Sequence, residues 1–337
     1  MKVALVIGRR PAAGVCGVAD YAVLLSEVLQ AHGVDARLIV SDDWRMRSAR
    51  KVCESLREYD VVHIQYPSLG FGYKLGPQAL ALLRSTVVTI HEASQRRILR
   101  KLSLLPFVVR PWHVIFTTEF ERQYVTKRAP WIGARSSVDP PPSNIRKFAQ
   151  TLSRAENEII YFGLILPRKG LEDVVELSRL IQSQGLPWRI RILGSPRPER
   201  REYFQRLRAA TETLPVVWEL NRSEQEVAER LAGTAIAYLP FPDGASERRS
   251  TLKAALTQEV VVVTTLGAHT PEAMKLAVKF ARTPREALNT IRALFQDTGE
   301  RAEMGRRAAQ YAQTWGTWEQ VAERHLAIYE NVLGSGQ

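Results

Sequence analysis

Asp139-Pro140-Pro141-Pro142-Ser143-Asn144 can be neither helix nor central strand. Three successive prolines lack the backbone donors that either element needs, and the Asp, Ser and Asn around them favour turns. The stretch from Arg135 to Arg146 therefore reads as a linker that divides the 337 residues into two parts. Upstream of it, short apolar runs alternate with helical periodicity. Strands are predicted at Lys2–Gly8, Ala36–Val40, Val61–Gln65, Val87–Ile90 and Val114–Thr117. Helices are predicted at Val18–His32, Arg45–Glu58, Gly76–Arg84, Ser94–Leu105 and Glu119–Thr126. Continuous apolar runs of this length are how strands buried on both faces read, and strand–helix repetition argues a parallel sheet covered on both sides.

A second alternation follows the linker. Strands are predicted at Ile159–Phe162, Arg189–Leu193, Val216–Glu219, Ala235–Leu239 and Val260–Thr264. Helices are predicted at Leu171–Ser183, Pro198–Thr211, Glu224–Ala232, Thr251–Gln258 and Arg285–Asp297, with a helical tail from Glu300 to Leu333 interrupted near Trp315-Gly316. Two α/β parts joined by a proline-rich hinge place ligands at the carboxyl ends of the strands, with the space between the two parts as the default site.

Composition narrows the function classes. The chain is 45% hydrophobic and 24% charged, which excludes a disordered or low-complexity protein. Cys16 and Cys53 match neither a disulfide framework nor a zinc spacing. No apolar run is long enough to span a bilayer, and the six residues between Lys2 and Arg9 are too few for a signal peptide. The expectation is a cytoplasmic protein, soluble or peripheral on the inner face of a membrane. The net charge of +12 is uneven. Residues 1–150 hold 22 Lys/Arg against 12 Asp/Glu, and residues 151–337 hold 25 against 23. The first half thus wants an anionic partner: nucleic acid, acidic lipid or a phosphorylated substrate.

Four segments carry chemistry. Gly14 and Gly17, after the first strand, let a ligand approach the start of a helix, where free N–H groups favour anions and sugar oxygens; a flexible turn reads equally well. His91 stands just past the strand Val87–Ile90, where it can bond a substrate hydroxyl or the backbone, whereas His63 reads as a packed core histidine. Gly163-Leu164-Ile165-Leu166-Pro167-Arg168-Lys169-Gly170 joins a strand to a helix and brings two cations to a positive helix end, an anion site. Asp243-Gly244-Ala245-Ser246-Glu247-Arg248-Arg249-Ser250-Thr251 follows another strand. Its acids suit sugar hydroxyls, its arginines suit phosphate, and Ser250-Thr251 are expected to cap the next helix.

These segments, in this order, resemble a family 4 retaining glycosyltransferase of the GT-B architecture. Gly17-Val18-Ala19-Asp20-Tyr21 resembles its first loop, and Thr89-Ile90-His91-Glu92 its strand-end histidine segment. Phe116-Thr117-Thr118-Glu119-Phe120 resembles the stretch before the linker, and Pro167-Arg168-Lys169-Gly170 the phosphate-binding segment. Trp315-Gly316-Thr317-Trp318-Glu319 through Tyr329 resembles the final helix that crosses back to the first domain. The resemblance covers nearly the whole chain. It implies two Rossmann-like domains facing each other across a cleft: an acceptor-side domain at 1–144 with a helix at about 318–335, and a nucleotide-sugar-binding domain at 145–317.

Two departures stand out. Leu164 occupies the family's usual arginine position, so that cation is missing or comes from Arg168, Arg248 or Arg249. Asp243 replaces the first of the family's two glutamates. Thr251 falls at the second position, and Lys253 would if the loop were two residues longer. The loop resembles a branch with Asp-Gly-x-Ser-x-Arg-Arg.

The resemblance implies transfer of a sugar from a nucleotide-sugar donor, UDP- or GDP-linked, with retention and without a metal or other cofactor. It places Lys169 and Arg168 on the diphosphate with the amides of Ser250 and Thr251. His91 would hold the transferred sugar and Asp243 its hydroxyls. Gly17, Glu247 and Arg248 complete the donor contacts. The acceptor would be a sugar, lipid-linked or a cell-surface or exopolysaccharide intermediate. Residues 93–118 carry Arg96, Arg97, Arg100, Lys101 and Arg110, no acid, and many apolar side chains. They read either as a membrane-surface and acceptor element or as a solvated face over the sheet. A basic nucleic-acid-binding protein, a GT-B-like nucleotide-sugar epimerase and a non-catalytic sugar-nucleotide binder are the alternatives.

Overall fold

The structure, a computed structural model, describes residues 1–9, 16–41, 43–94 and 102–334. The chain forms two compact units, Met1–Pro142 with Gly316–Gln337 (unit 1) and Ser143–Trp315 (unit 2).

Unit 1 is built on a parallel sheet of six strands in the order β2-β1-β3-β4-β5-β6. They are β1 (Lys2–Gly8), β2 (Asp35–Ser41), β3 (Val61–Tyr66), β4 (Val87–Ile90), β5 (His113–Phe116) and β6 (Ser136–Val138). β3 and β4 are buried along their whole length, which explains their Val and Ile content and means that His63, Gln65 and Thr89 within them are buried polar groups. The order reverses between β1 and β3, the topological switch point of this unit. β6 was not expected. Ser136, Ser137 and Val138 lie inside the predicted linker, yet they pair in parallel with Val114, Ile115 and Phe116. Three half-buried residues at a sheet edge carry no apolar run for periodicity to detect.

The helix expected at Ser94–Leu105 falls mostly on residues 95–101, which lie outside the described residues. A further helix stands at Leu105–Val109, with Pro106 in its first turn where no N–H is needed. The helix Trp318–Gly334 belongs to unit 1. It buries Trp318, Val321, Ala322, His325, Tyr329 and Val332, a stripe at three- and four-residue spacing. It packs on the helix Gly17–Ala31, sharing a core with Tyr21, Leu25 and Leu29.

Unit 2 holds β7 (Ala155–Ile165), β8 (Arg189–Pro196), β9 (Val216–Leu220), β10 (Thr234–Leu239), β11 (Val261–Thr264) and β12 (Lys279–Phe280). Their order, β12-β11-β10-β7-β8-β9, is all parallel and doubly wound, with the switch between β7 and β10. The two-residue β12 is too short to read from sequence. Of the unit's helices, Glu224–Ala232 opens with a capping box of Ser223 and Glu226, and Pro284–Gln296 with Thr283 accepting from the Glu286 amide. The helix Ser250–Thr257 departs from expectation. Ser250 and Thr251 are its first residues rather than its cap, and Arg249 holds the cap position without a side-chain bond to the helix. Its first amides therefore have no intrahelical partner.

Candidate functional site

The switch point of unit 2 brings two loops side by side, 166–170 after β7 and 240–249 after β10. Their approach depends on glycine. Gly170 has φ +81°, and a Cβ there would overlap the Pro240 carbonyl. A Cβ on Gly163 would come within 3.6 Å of the Thr251 methyl, so β7 ends directly beneath the first turn of helix Ser250–Thr257. Between the glycines, Arg168 takes the left-handed φ of +64°. That conformation is costly for a non-glycine residue, and such strain collects at ligand-binding turns. The Tyr161 hydroxyl donates to the Lys169 carbonyl at 3.1 Å and fixes the loop from below.

Three cations gather there. Burial pushes the Lys169 ammonium below its usual pKa, and the nearby Arg249 and Arg197 push it further, against an opposing pull from Asp243. Arg249 ion-pairs with Asp243, and its guanidinium lies 4.9 Å from the centre of the Phe241 ring. One acid set among three cations, with helix amides adjacent, leaves an excess of positive charge aimed at the strand ends. Such a constellation favours a diphosphate over a single carboxylate.

Arg197 was missed by sequence reasoning. It follows β8 and looks like one of several surface arginines until β8 is placed beside β7. Arg168 is exposed at the rim of the loop, and Arg248 is half-buried beside Arg249. Two expected residues have other company. Glu247 Oε1 accepts from Tyr311 Oη at 2.9 Å and from Trp315 Nε1 at 3.4 Å, which ties it to the end of helix Thr298–Gln313. Lys253 is buried with its ammonium 4.7 Å from the centre of the Trp315 ring. Gly17 begins its helix with open space where a Cβ would stand, among the described residues. Gly14, Arg96, Arg97, Arg100 and Lys101 lie outside the described residues.

In unit 1, His91 follows β4, half-buried. Its backbone N–H donates to the Tyr66 carbonyl at 2.8 Å. Its ring meets Tyr21 edge-on at 4.9 Å. Burial, reinforced by His325, pushes its pKa down to about 3, so the ring is neutral at neutral pH. Nε2 lies 3.0 Å from Gln65 Oε1, which can only accept. The proton therefore sits on Nε2, and Nδ1 is left as an acceptor for a hydroxyl. Gln65 Nε2 in turn donates to His63 Nε2 at 3.1 Å, and His63 Nδ1 lies 2.7 Å from the Tyr329 hydroxyl. His63 is thus the packed core histidine that the sequence suggests, fully buried and hydrogen-bonded.

Three neutral histidines make unit 1 acid-labile. Burial lowers the pKa of His63 well below its usual value and that of His113 to about 4, alongside His91. Folded values below the unfolded value mean that the unfolded chain binds more protons as the pH falls below about 6.5. The histidines' contribution to stability is complete above that pH and declines towards about 3. Urea midpoints are expected to fall between about pH 7 and pH 5, with a shallower fall in His63→Gln. An equal slope in that variant would contradict the assignment.

No family model matches the chain, and no curated protein does. Solved structures do match. A glycosyltransferase from Rickettsia africae aligns with 98% of this chain and 98% of its own at 11% identity, TM-score 0.74. Sucrose-phosphate synthase from Thermosynechococcus elongatus covers 99% of both chains at 14% identity, TM-score 0.72. HepE of Anabaena, in complex with UDP and glucose, covers 97% of this chain and 99% of its own at 14% identity, TM-score 0.71. The chain has the GT-B fold. Its two GT-B sheets are the parallel ones described above, and the Lys169 cluster occupies the switch point of the second. Among the described residues, no group of three or more His, Cys, Asp or Glu side chains could hold a metal, and no helix is long and apolar enough to cross a membrane.

Proposed function

We propose that this protein transfers a sugar from a nucleotide-sugar donor to an acceptor, with its side-chain cations neutralising the departing diphosphate. The observation that carries this reading is the close approach of the Lys169 loop to Pro240 and to the first turn of the helix Ser250–Thr257 at the β7–β10 switch point, with Arg249 and Arg197 near Lys169. Negative charge grows on the leaving group as the glycosidic bond breaks. Cations already fixed at that position stabilise the transition state without rearranging. Arg197 and Arg249 stand in for the cation that Leu164 does not supply. The amides of Ser250 and Thr251 add the helix N-terminus. Asp243, held by Arg249, is positioned to accept from sugar hydroxyls, and His91 offers Nδ1 to a hydroxyl of the transferred sugar. Retention at the anomeric carbon and independence from a metal complete the proposal. The anomer of the product, read by NMR, and activity in a chelator test these two points.

The Anabaena neighbour was solved with UDP and glucose, so uridine donors come first. A thermal-shift series with UDP-, GDP-, ADP- and dTDP-sugars is expected to show one class raising the melting temperature. A donor at a hundredfold excess over its Kd adds about 2.7 kcal/mol to the stability of the native state. The absence of any shift, with no heat of binding by calorimetry, would end this reading.

A further inference from the structure

Sixteen large apolar side chains are exposed among the described residues, and thirteen lie in unit 1. Six of these come from three adjoining segments. Leu82 and Leu83 end the helix Gly76–Leu83, which packs against the helix Leu105–Val109. Leu105 and Val109 stand four residues apart on one face of that helix, Leu102 precedes it by a turn, and the three are 56%, 51% and 66% exposed. Trp131 is 53% exposed, and its Nε1 donates to the Val108 carbonyl at 2.9 Å, which sets the indole beside the end of that helix.

The charge around these side chains has one sign. Among the described residues of 61–138, seven Lys/Arg stand against three acids. Of the acids, Glu121 is fully buried and accepts from the Ala93 and Ser94 amides. Glu119 lies 3.5 Å from Arg122, which leaves Glu92 as the third. Arg110, Lys127 and Arg128 are exposed next to the apolar residues in the chain, and Arg135 holds the Pro111 carbonyl at 3.1 Å.

We propose that this face of unit 1 docks on an anionic lipid bilayer. Leu102, Leu105, Val109 and Trp131 would enter the boundary between headgroups and acyl chains, where indole rings settle, and the arginines would meet lipid phosphates. Only a surface both apolar and anionic satisfies the two halves of the patch. Nucleic acid would leave the leucines in water. A symmetric pair of copies would bring like charges together across the interface. The docking stands apart from the transfer reading. If both hold, the acceptor is carried on lipid.

Co-sedimentation of the full chain with phosphatidylglycerol–phosphatidylcholine vesicles tests the proposal without donor or turnover. Binding is expected to the mixed vesicles, to weaken with salt, and to be much weaker for phosphatidylcholine alone. Leu105→Ser/Val109→Ser and Arg110→Glu/Arg128→Glu change exposed side chains, and each pair is expected to lower the partition coefficient at least about tenfold. Circular dichroism confirms that both remain folded. Three results would overturn the docking. One is no pelleting of the wild type at low salt, and another is unchanged binding by both pairs. The third is a DNA duplex bound in place of the vesicles, lost in the arginine pair and unaffected in the leucine–valine pair. Failure here leaves the thermal-shift test of donor binding untouched.

Discussion

Lys169→Ala is expected to lower turnover of the donor by about 10²–10³ while the protein stays folded. The fold should survive because the loop is held by its backbone. The Lys169 carbonyl accepts from Tyr161, Gly170 lies against Pro240, and the lysine side chain takes no part in either contact. The rate should fall because Lys169 is the cation the others press upon. Its ammonium is destabilised by burial and by Arg249 and Arg197, so an incoming diphosphate relieves that strain at once. Charge on the leaving oxygen is greatest in the transition state, and the loss should therefore appear mainly in kcat rather than in KM. Turnover is read as release of nucleoside diphosphate from the donor class found by thermal shift. Lys169→Arg, which keeps the charge but not the shape, should recover part of the rate. Near-normal turnover in Lys169→Ala would remove the phosphate role from the β7–β10 switch point.

Lys169 and Asp243 could be singled out as candidates in the sequence because each follows an apolar run and a Gly or Pro turn, which marks the end of a buried strand. Arg197 also acts on Lys169, more weakly than Arg249 and Asp243, and was not legible. It stands among Arg197, Arg200 and Arg201 after an ordinary strand. Only the strand order, with β8 next to β7, turns it towards Lys169. Gln65 was hidden for a related reason. In sequence it is a polar residue in an apolar run, and its contact with His91 exists only across the β3–β4 pairing. The partners of Glu247 were hidden too, because Tyr311 and Trp315 lie more than sixty residues away from its loop. The alternation of strands and helices, set by local periodicity, could be read for most elements, although β7 runs from Ala155 to Ile165 against a predicted Ile159–Phe162 and the short β6 and β12 were not read. The pairing of polar side chains depends on register, which periodicity does not carry.

The linker shows the same limit and yields the second large effect. Asp139 reads as a turn residue before three prolines, yet it is 2% exposed and bound by the last helix of unit 1. Its Oδ1 accepts from Arg324 Nε at 2.7 Å, and its Oδ2 lies 3.0 Å from His325 Nδ1. His325 Nδ1 also lies 2.8 Å from the Val321 carbonyl, and Arg324 is the permanently charged partner of the buried carboxylate. Arg324→Ala is therefore expected to destabilise unit 1 by about 3–5 kcal/mol, since it strands a desolvated charge. Asp139→Asn should cost less. It removes the charge that needs compensation, and the arginine left behind is 42% exposed and can be hydrated. The double variant Asp139→Asn/Arg324→Ala should be more stable than Arg324→Ala alone, a sign that simple addition of two losses cannot produce. Denaturant melts of the four proteins measure the cycle. Additive losses would show that the pair contributes nothing specific, and that the linker is held to the last helix by apolar packing alone.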